Sequence, residues 1–315
     1  MSMTFALVFP GQGSQSVSML AELAETFPQI KVTYQEASDV LNYDLWNLVQ
    51  NGPEEELNKT HITQPAMLAG GVAVWRVWQA EGGPTPIAMA GHSLGEYSAL
   101  VAADSMSLAD AALLVADRGR FMQAAVPEGV GAMAAILGLD DEQVIKVCEQ
   151  TAESEIVSAV NFNSPGQVVI AGNTTAVERA VVLAKEAGAK RALILPVSVP
   201  SHCSLMNPAA EQLEERLATI NINAPAVPVY NNVDVRAESN PDAIRDALKR
   251  QLFSPVRWVE TINAIANKNV QHIVECGPGK VLTGLNKRIN KQMNALSTTD
   301  VDNLTKAIES VQTEG

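Results

Sequence analysis

The chain is short of positive charge: 22 Lys and Arg stand against 35 Asp and Glu in 315 residues, a net −13. A surface of that sign repels phosphate backbones and anionic lipid headgroups, so neither a nucleic-acid nor a membrane-surface role is expected. Cysteine is scarce as well. Cys148, Cys203 and Cys276 are odd in number, widely spaced and form no CxxC pair, which argues against a disulfide framework or a zinc site and fits a reducing cytoplasm. Long apolar runs are missing too. The first, Phe5 to Phe9, stops at Pro10-Gly11 and is too short for a secretory signal. The stretch from Ile62 to Trp75 is interrupted by Pro65, Gly70 and Gly71 and falls short of the ~20 residues that span a bilayer. No export signal and no transmembrane helix are expected.

What is present is 47% hydrophobic residues, enough to bury a sizeable core in one large domain or two modest ones. Short apolar runs alternate with longer stretches of helical period, which predicts βα units, a largely parallel sheet and an α/β fold. Residues 4–9, 87–90, 227–230 and 270–276 read as its strands. Each is followed by a turn rich in Gly, Asn or Ser, where an open α/β sheet places its ligands. Between Pro127 and Ser198 the rhythm changes: strand 132–139, helix 141–152, strand 156–162, turn 163–166, strand 167–171, helix 176–187, strand 192–199. That β-α-β-β-α-β order is ferredoxin-like. A capping box is expected at Thr175-Ala176-Val177-Glu178, with Gly188 ending its helix. The expected organisation is a small unit, residues 127–198, inserted into a discontinuous large one made of 1–126 and 199–315, whose last dozen residues form a fraying helix.

The sharpest motif is Gly91-His92-Ser93-Leu94-Gly95, a GxSxG between an apolar strand and a helix-forming segment. The sharp turn holds a serine hydroxyl clear of the sheet, and glycines two residues to either side let strand and helix pack closely. Ser93 is the candidate nucleophile, the bland alternative being a tight turn. The Leu94 amide, at the start of the next helix, points where a thioester or ester oxygen would become an oxyanion. Of the four histidines, His92 adjoins the serine and points away, His61 lies in a helix-leading segment and His272 in a strand. His202, in the loop Pro200-Ser201-His202-Cys203-Ser204, is the candidate base, against a structural histidine. No loop aspartate stands out as a third member, so another group, such as a backbone carbonyl, has to orient the ring.

Other motifs fail their tests. In Phe9-Pro10-Gly11-Gln12-Gly13-Ser14-Gln15-Ser16 a serine replaces the third glycine of a dinucleotide loop, and Asp39 is misplaced for a ribose-binding acid. Its Gln12 amide is then a second oxyanion donor or part of a plain turn. Gly277-Pro278-Gly279-Lys280 lacks the Walker pattern, with Val274 and Val281 at positions that need Gly and Ser or Thr. Arg118 and Arg120 lie on an apolar segment. Both are solvated, or one reaches the pocket beside Ser93 to form a bidentate pair with a substrate carboxylate.

Seven ordered motifs give the chain a family resemblance. They are Phe9-Pro10-Gly11-Gln12-Gly13-Ser14-Gln15, Gly91-His92-Ser93-Leu94-Gly95-Glu96, Arg118-Gly119-Arg120-Phe121-Met122-Gln123, the run from Val160 to Gln167, Ser198-Val199-Pro200-Ser201-His202, Asn231-Asn232-Val233-Asp234, and Gln251-Leu252. Over nearly its whole length the chain resembles the malonyl-CoA:acyl-carrier-protein transacylases of bacterial fatty acid synthesis. The resemblance implies an α/β-hydrolase-like large subdomain with an inserted ferredoxin-like one. It also implies Ser93 as the acylated nucleophile, His202 as its base, Arg118 as the clamp on the malonyl carboxylate, and the Gln12 and Leu94 amides as oxyanion hole. Gln251 matches the family position whose backbone carbonyl holds the histidine. A ping-pong transfer between malonyl-CoA and acyl carrier protein follows, without metal or cofactor, in a cytoplasmic protein expected to be a monomer. Because the family's carrier partner is acidic, a local basic patch is expected from among Lys190, Arg191, Arg236, Lys249, Arg250, Lys287 and Arg288, the alternative being scattered solvated charges. Two rival readings stand beside this one: a serine esterase, and a carrier-binding module without chemistry.

Overall fold

In the computed structural model, which describes residues 4–197 and 199–312, the alternation of apolar runs and helical stretches becomes two sheets clothed in helices. The chain opens with β1 (Phe5–Phe9), followed by α1 (Ala21–Thr26), α2 (Pro28–Leu41), α3 (Leu45–Asn51), α4 (Glu54–Leu57) and α5 (Thr60–Ala80). After β2 (Ala88–Gly91) come α6 (Gly95–Ala102) and α7 (Leu108–Ala125). The middle supplies β3 (Gly131–Leu137), α8 (Asp141–Ala152), β4 (Val157–Ser164), β5 (Gln167–Asn173), α9 (Thr174–Glu186) and β6 (Arg191–Ile194). The remainder holds α10 (Asn207–Ala218), β7 (Val229–Tyr230), α11 (Pro241–Gln251), α12 (Trp258–Ala266), β8 (His272–Glu275), α13 (Val281–Ile289), β9 (Asn294–Ser297) and α14 (Val301–Val311).

The first sheet is parallel, in the order β7-β2-β1-β8-β9. Its central strand β1 reads Phe-Ala-Leu-Val-Phe and is buried at every position, as a parallel strand covered on both faces must be. Ala6 and Val8 pack with Trp258, Ile262 and Leu285 on one side; Leu7 and Phe9 join the larger core of α2, α5 and α7 on the other. The second sheet is antiparallel, in the order β4-β5-β3-β6, with α8 and α9 closing a separate core around Ile136, Val144, Ile170 and Val177. Parallel sheet plus ferredoxin-like sheet is the expected fold class. The register Phe9 opposite Gly91 brings the carboxyl ends of β1 and β2 side by side, so the Gln12 loop and the GxSxG turn emerge together.

Five local expectations are corrected. The run 62–75 is not interrupted: it lies inside the single helix α5, where every residue from Ile62 to Trp75 is buried, so packing outweighs the backbone bond lost at Pro65. Among the described residues no helix is long and apolar enough to cross a membrane. The capping box at Thr175 is absent, because α9 starts at Thr174 and Thr175 Oγ1 bonds Glu155 instead. The reciprocal box forms at α8 between Asp140 and Gln143. The turn expected at 163–166 narrows to Pro165-Gly166, since irregular pairing lets β4 run on to Ser164. The strand expected at 192–199 pairs with β3 only over β6, from Arg191 to Ile194. Strand β9 was not foreseen, because Asn294–Ser297 is short and fully buries only Ala295. Ser198, the end of the expected small unit, and residues 313–315, the end of the expected last helix, lie outside the described residues.

Candidate active site

At the end of β2 the chain turns through Ser93 with φ of 50°, a left-handed conformation that costs a non-glycine residue about 1–3 kcal/mol. The turn is this tight because its flanks carry no side chain: a Cβ on Gly91 would sit 1.8 Å from the Gly95 carbonyl carbon, and one on Gly95 2.0 Å from Phe9 O. Asn232 locks it, accepting the Ser93 N–H at 2.7 Å and donating from Nδ2 to Gly91 O at 2.7 Å.

His202 comes from the loop before α10, also with a left-handed φ, 67°. Its backbone N–H donates to Leu252 O at 2.9 Å, and its ring bridges two partners: Nδ1 lies 2.7 Å from Gln251 O and Nε2 2.8 Å from Ser93 Oγ. A carbonyl oxygen can only accept, so Nδ1 carries the hydrogen and Nε2 turns its lone pair to the hydroxyl. The ring is 3% exposed. Burial, then the nearby Arg118 charge, push its pKa down to about 3, against a pull upward from Gln251 O. His202 is therefore neutral near pH 7, the form that accepts a proton. Unfolded, it protonates near its ordinary value, so acidification from there towards 3 favours unfolding and stability rises with pH across that window. With ¹⁵N-labelled histidine, His202 is expected to hold the Nδ1–H tautomer without titrating between about pH 5 and 8, and a midpoint near 6.5 would contradict it.

Arg118 reaches the same point from α7. Gly119 permits this, because a Cβ there would lie 2.5 Å from His61 Cα, so α7 and α5 cross closely and Arg118 meets Gln64. Its guanidinium, 2% exposed, donates to Gln64 Oε1 at 2.8 Å, Gln251 Oε1 at 3.0 Å and Ser93 Oγ at 3.3 Å, and lies 5.4 Å from the centroid of the Tyr97 ring. All these partners are neutral, and Arg118 makes no salt bridge among the described residues. Arg120, the other candidate, points outward to Asp117 at 2.7 Å. A buried cation without an anion is poised to take one.

Of the remaining candidates, Leu94 follows the serine and Gln12 lies on the loop that packs against the elbow. Ser93's amide is taken by Asn232, whereas the Leu94 amide donates to no group among the described residues. The Gln12 loop abuts it: a Cβ on Gly11 would stand 2.4 Å from His92 O and 3.7 Å from Leu94 N. Gln12 itself is exposed and helps line an open cleft of ≈ 460 Å³ that runs between Thr60 and Gly131. Two of the other histidines point elsewhere, His92 Nε2 to Asn163 Oδ1 at 2.8 Å with its ring against Trp258, and His272 on β8 towards Asn294. The expected basic patch is divided. Arg250 is bound to Asp234 and Asp246, Lys249 to Glu214 and Arg236 to Glu238, while Lys190, Arg191, Lys287 and Arg288 make no ion pair among the described residues, Arg288 donating instead to Gln167 Oε1 at 2.7 Å.

Three polar groups escaped the sequence reading. Gln64 is an uncharged polar residue in an otherwise apolar helical run, Asn232 sits within a motif quoted above, and Glu96 lies one turn past Ser93. Nothing in their spacing distinguishes a buried polar residue from an exposed one.

The chain's similarities agree with this geometry. Residues 6–309 match the model of the acyl transferase domain. The chain is 60% identical to the malonyl CoA-acyl carrier protein transacylase of Escherichia coli (strain K12), over 97% of this chain and 99% of that protein. It superposes on the solved malonyl CoA-acyl carrier protein transacylase of Coxiella burnetii with a TM-score of 0.98 at 50% identity, covering 99% of each chain. A malonyl-transacylase solved in complex with its type II PKS acyl-carrier protein superposes with a TM-score of 0.96 at 58% identity, covering 98% of this chain and 99% of that one. A serine elbow on a parallel sheet, a histidine across from it and matches of this extent place the chain in the acyl transferase family, among the malonyl CoA-acyl carrier protein transacylases.

Proposed function

We propose that the chain moves a malonyl group from malonyl-CoA to the phosphopantetheine thiol of an acyl carrier protein through an ester on Ser93. The observation that carries this reading is the 2.8 Å contact between Ser93 Oγ and the neutral Nε2 of His202, with a buried guanidinium, making no salt bridge among the described residues, 3.3 Å from the same oxygen.

In the first half-reaction Oγ attacks the thioester carbonyl while His202 Nε2 takes its proton. The Leu94 and Gln12 amides face the oxygen that becomes negative. The C–S bond then breaks, and the leaving CoA sulfur takes up that proton from the imidazolium. In the second, His202 removes the proton of the incoming thiol, sulfur attacks the ester carbonyl, and Ser93 leaves with that proton. The Gln251 carbonyl holds the ring in one tautomer throughout, and Arg118 pairs with the free carboxylate of the malonyl group. In this reading residues 1–126 and 199–315 carry the chemistry, the inserted unit 127–198 walls the cleft, and the protein works as a cytoplasmic monomer.

The decisive experiment is intact-mass measurement after addition of malonyl-CoA, then of holo carrier protein. The protein is expected to gain one malonyl group on Ser93 and to hand it to the carrier. Loss of the adduct to water with no carrier labelling would favour an esterase, and absence of any adduct a binding module.

A further inference from the structure

Glu96 takes no part in either half-reaction, yet it is 2% exposed, on the first turn of α6. A carboxylate removed from water is unfavourable unless its partners compensate. Here one oxygen does that work: Oε2 accepts the Asn232 backbone N–H at 2.9 Å and Gln251 Nε2 at 2.8 Å. Each partner is already engaged with the reacting groups. Asn232 holds the Ser93 amide and the Gly91 carbonyl. Gln251 donates from Nε2 to Ser93 O at 3.1 Å, accepts Arg118 at Oε1, and receives His202 Nδ1 on its backbone carbonyl. The helix after the elbow, the loop after β7 and the end of α11, far apart in sequence, thus meet at a single atom.

We infer that Glu96 is a positioning residue: by fixing Gln251 and Asn232 it sets the distance and angle at which His202 Nε2 meets Ser93 Oγ. The inference rests on the acyl-serine reading above and deepens it. Glu96 touches no reacting atom and acts through the Asn232 backbone and the Gln251 side chain. Burial pushes its carboxyl up to about 7, while the bonds from Gln251 and Asn232 and the charge of Arg118 draw it back towards the ionised form, and Asp234 opposes them. Burial pulls the pKa of Arg118 down, and Tyr97 and the Glu96 charge oppose that pull; among the described residues the guanidinium makes no ion pair.

The test compares Glu96→Ala, Glu96→Asp and Glu96→Gln with the wild type. It measures kcat and KM for malonyl transfer, the rate at which a fluorophosphonate labels Ser93, and the melting temperature. Alanine removes the acceptor, and kcat should fall about 10²-fold, since a misplacement of an ångström remote from the chemistry has that effect. Aspartate withdraws the acceptor by one methylene and should lose about 10-fold, and glutamine, which keeps an oxygen at the same reach, should stay within about 3-fold. In each case KM holds and Ser93 labelling falls in step with kcat. An alanine or aspartate variant with unchanged kcat, a loss carried by KM, or a glutamine variant as impaired as alanine would overturn the inference. If the alanine variant does not fold, aspartate and glutamine decide. A wild type that labels at Ser93 but transfers no malonyl would sink the transfer reading, and the labelling series would still judge Glu96.

Discussion

Ser93→Ala and His202→Ala each lower malonyl transfer by about 10⁴- to 10⁶-fold, and the double variant is scarcely worse than either single one. The expectation follows from the shared proton. Without Oγ there is nothing to acylate. Without Nε2 the hydroxyl keeps its proton, because the other group within reach, Arg118 Nη2 at 3.3 Å, can only donate. Residual activity in the single variants is expected from binding and, in the reading proposed above, from the Leu94 and Gln12 amides. The measurement is transfer rate for the three variants under one set of conditions, alongside intact mass for the serine adduct. Losses that multiply in the double variant would mean that the two side chains act independently, and the 2.8 Å contact would then have no mechanistic meaning.

Arg118→Ala separates substrates instead of abolishing chemistry. A malonyl group brings a carboxylate into a site where it must find a partner, and Arg118 offers a guanidinium 2% exposed, held by Gln64 and Gln251. Truncating one member of a buried, hydrogen-bonded charge pair is worth about 2–5 kcal/mol, so malonyl transfer should drop about 10²- to 10⁴-fold. Acetyl has no carboxylate and leaves the cation unpaired in the wild-type site, so its slow transfer should persist or improve in the variant. The measure is the ratio of kcat/KM for malonyl-CoA to that for acetyl-CoA. A ratio unchanged by the substitution would remove Arg118 as the clamp and make it a support for Ser93 alone.

Much of this arrangement was legible in the sequence, and what was not has physical causes. The GxSxG elbow could be read because steric necessity writes it in glycines, and His202 could be reached by elimination because imidazoles are few. The choice between Arg118 and Arg120 could not be made from spacing. It depends on how closely α7 approaches α5 at Gly119, a contact between segments sixty residues apart. Gln251 entered only through family resemblance, because a backbone carbonyl leaves no trace in residue type. Glu96 and Asn232 were missed for a related reason: a polar side chain looks the same on paper whether water or buried hydrogen-bond partners surround it. At the level of fold, apolar alternation gave both sheets, but short or half-polar strands such as β9 fall below what a pattern can carry. Likewise α5 runs unbroken across Pro65 because tertiary burial overrides a local breaker.

The left-handed backbone at Ser93, φ 50°, also bears on which hydroxyl amino acid suits the elbow. A branched Cβ at positive φ crowds its own main chain and is rare, although Val235 adopts φ 58° in this chain. Threonine, although it offers an alcohol of similar reactivity, is therefore disfavoured there by conformation. Cysteine, unbranched, would meet no such barrier, so thiol-for-alcohol exchange is the conservative replacement that this corner of the fold leaves open.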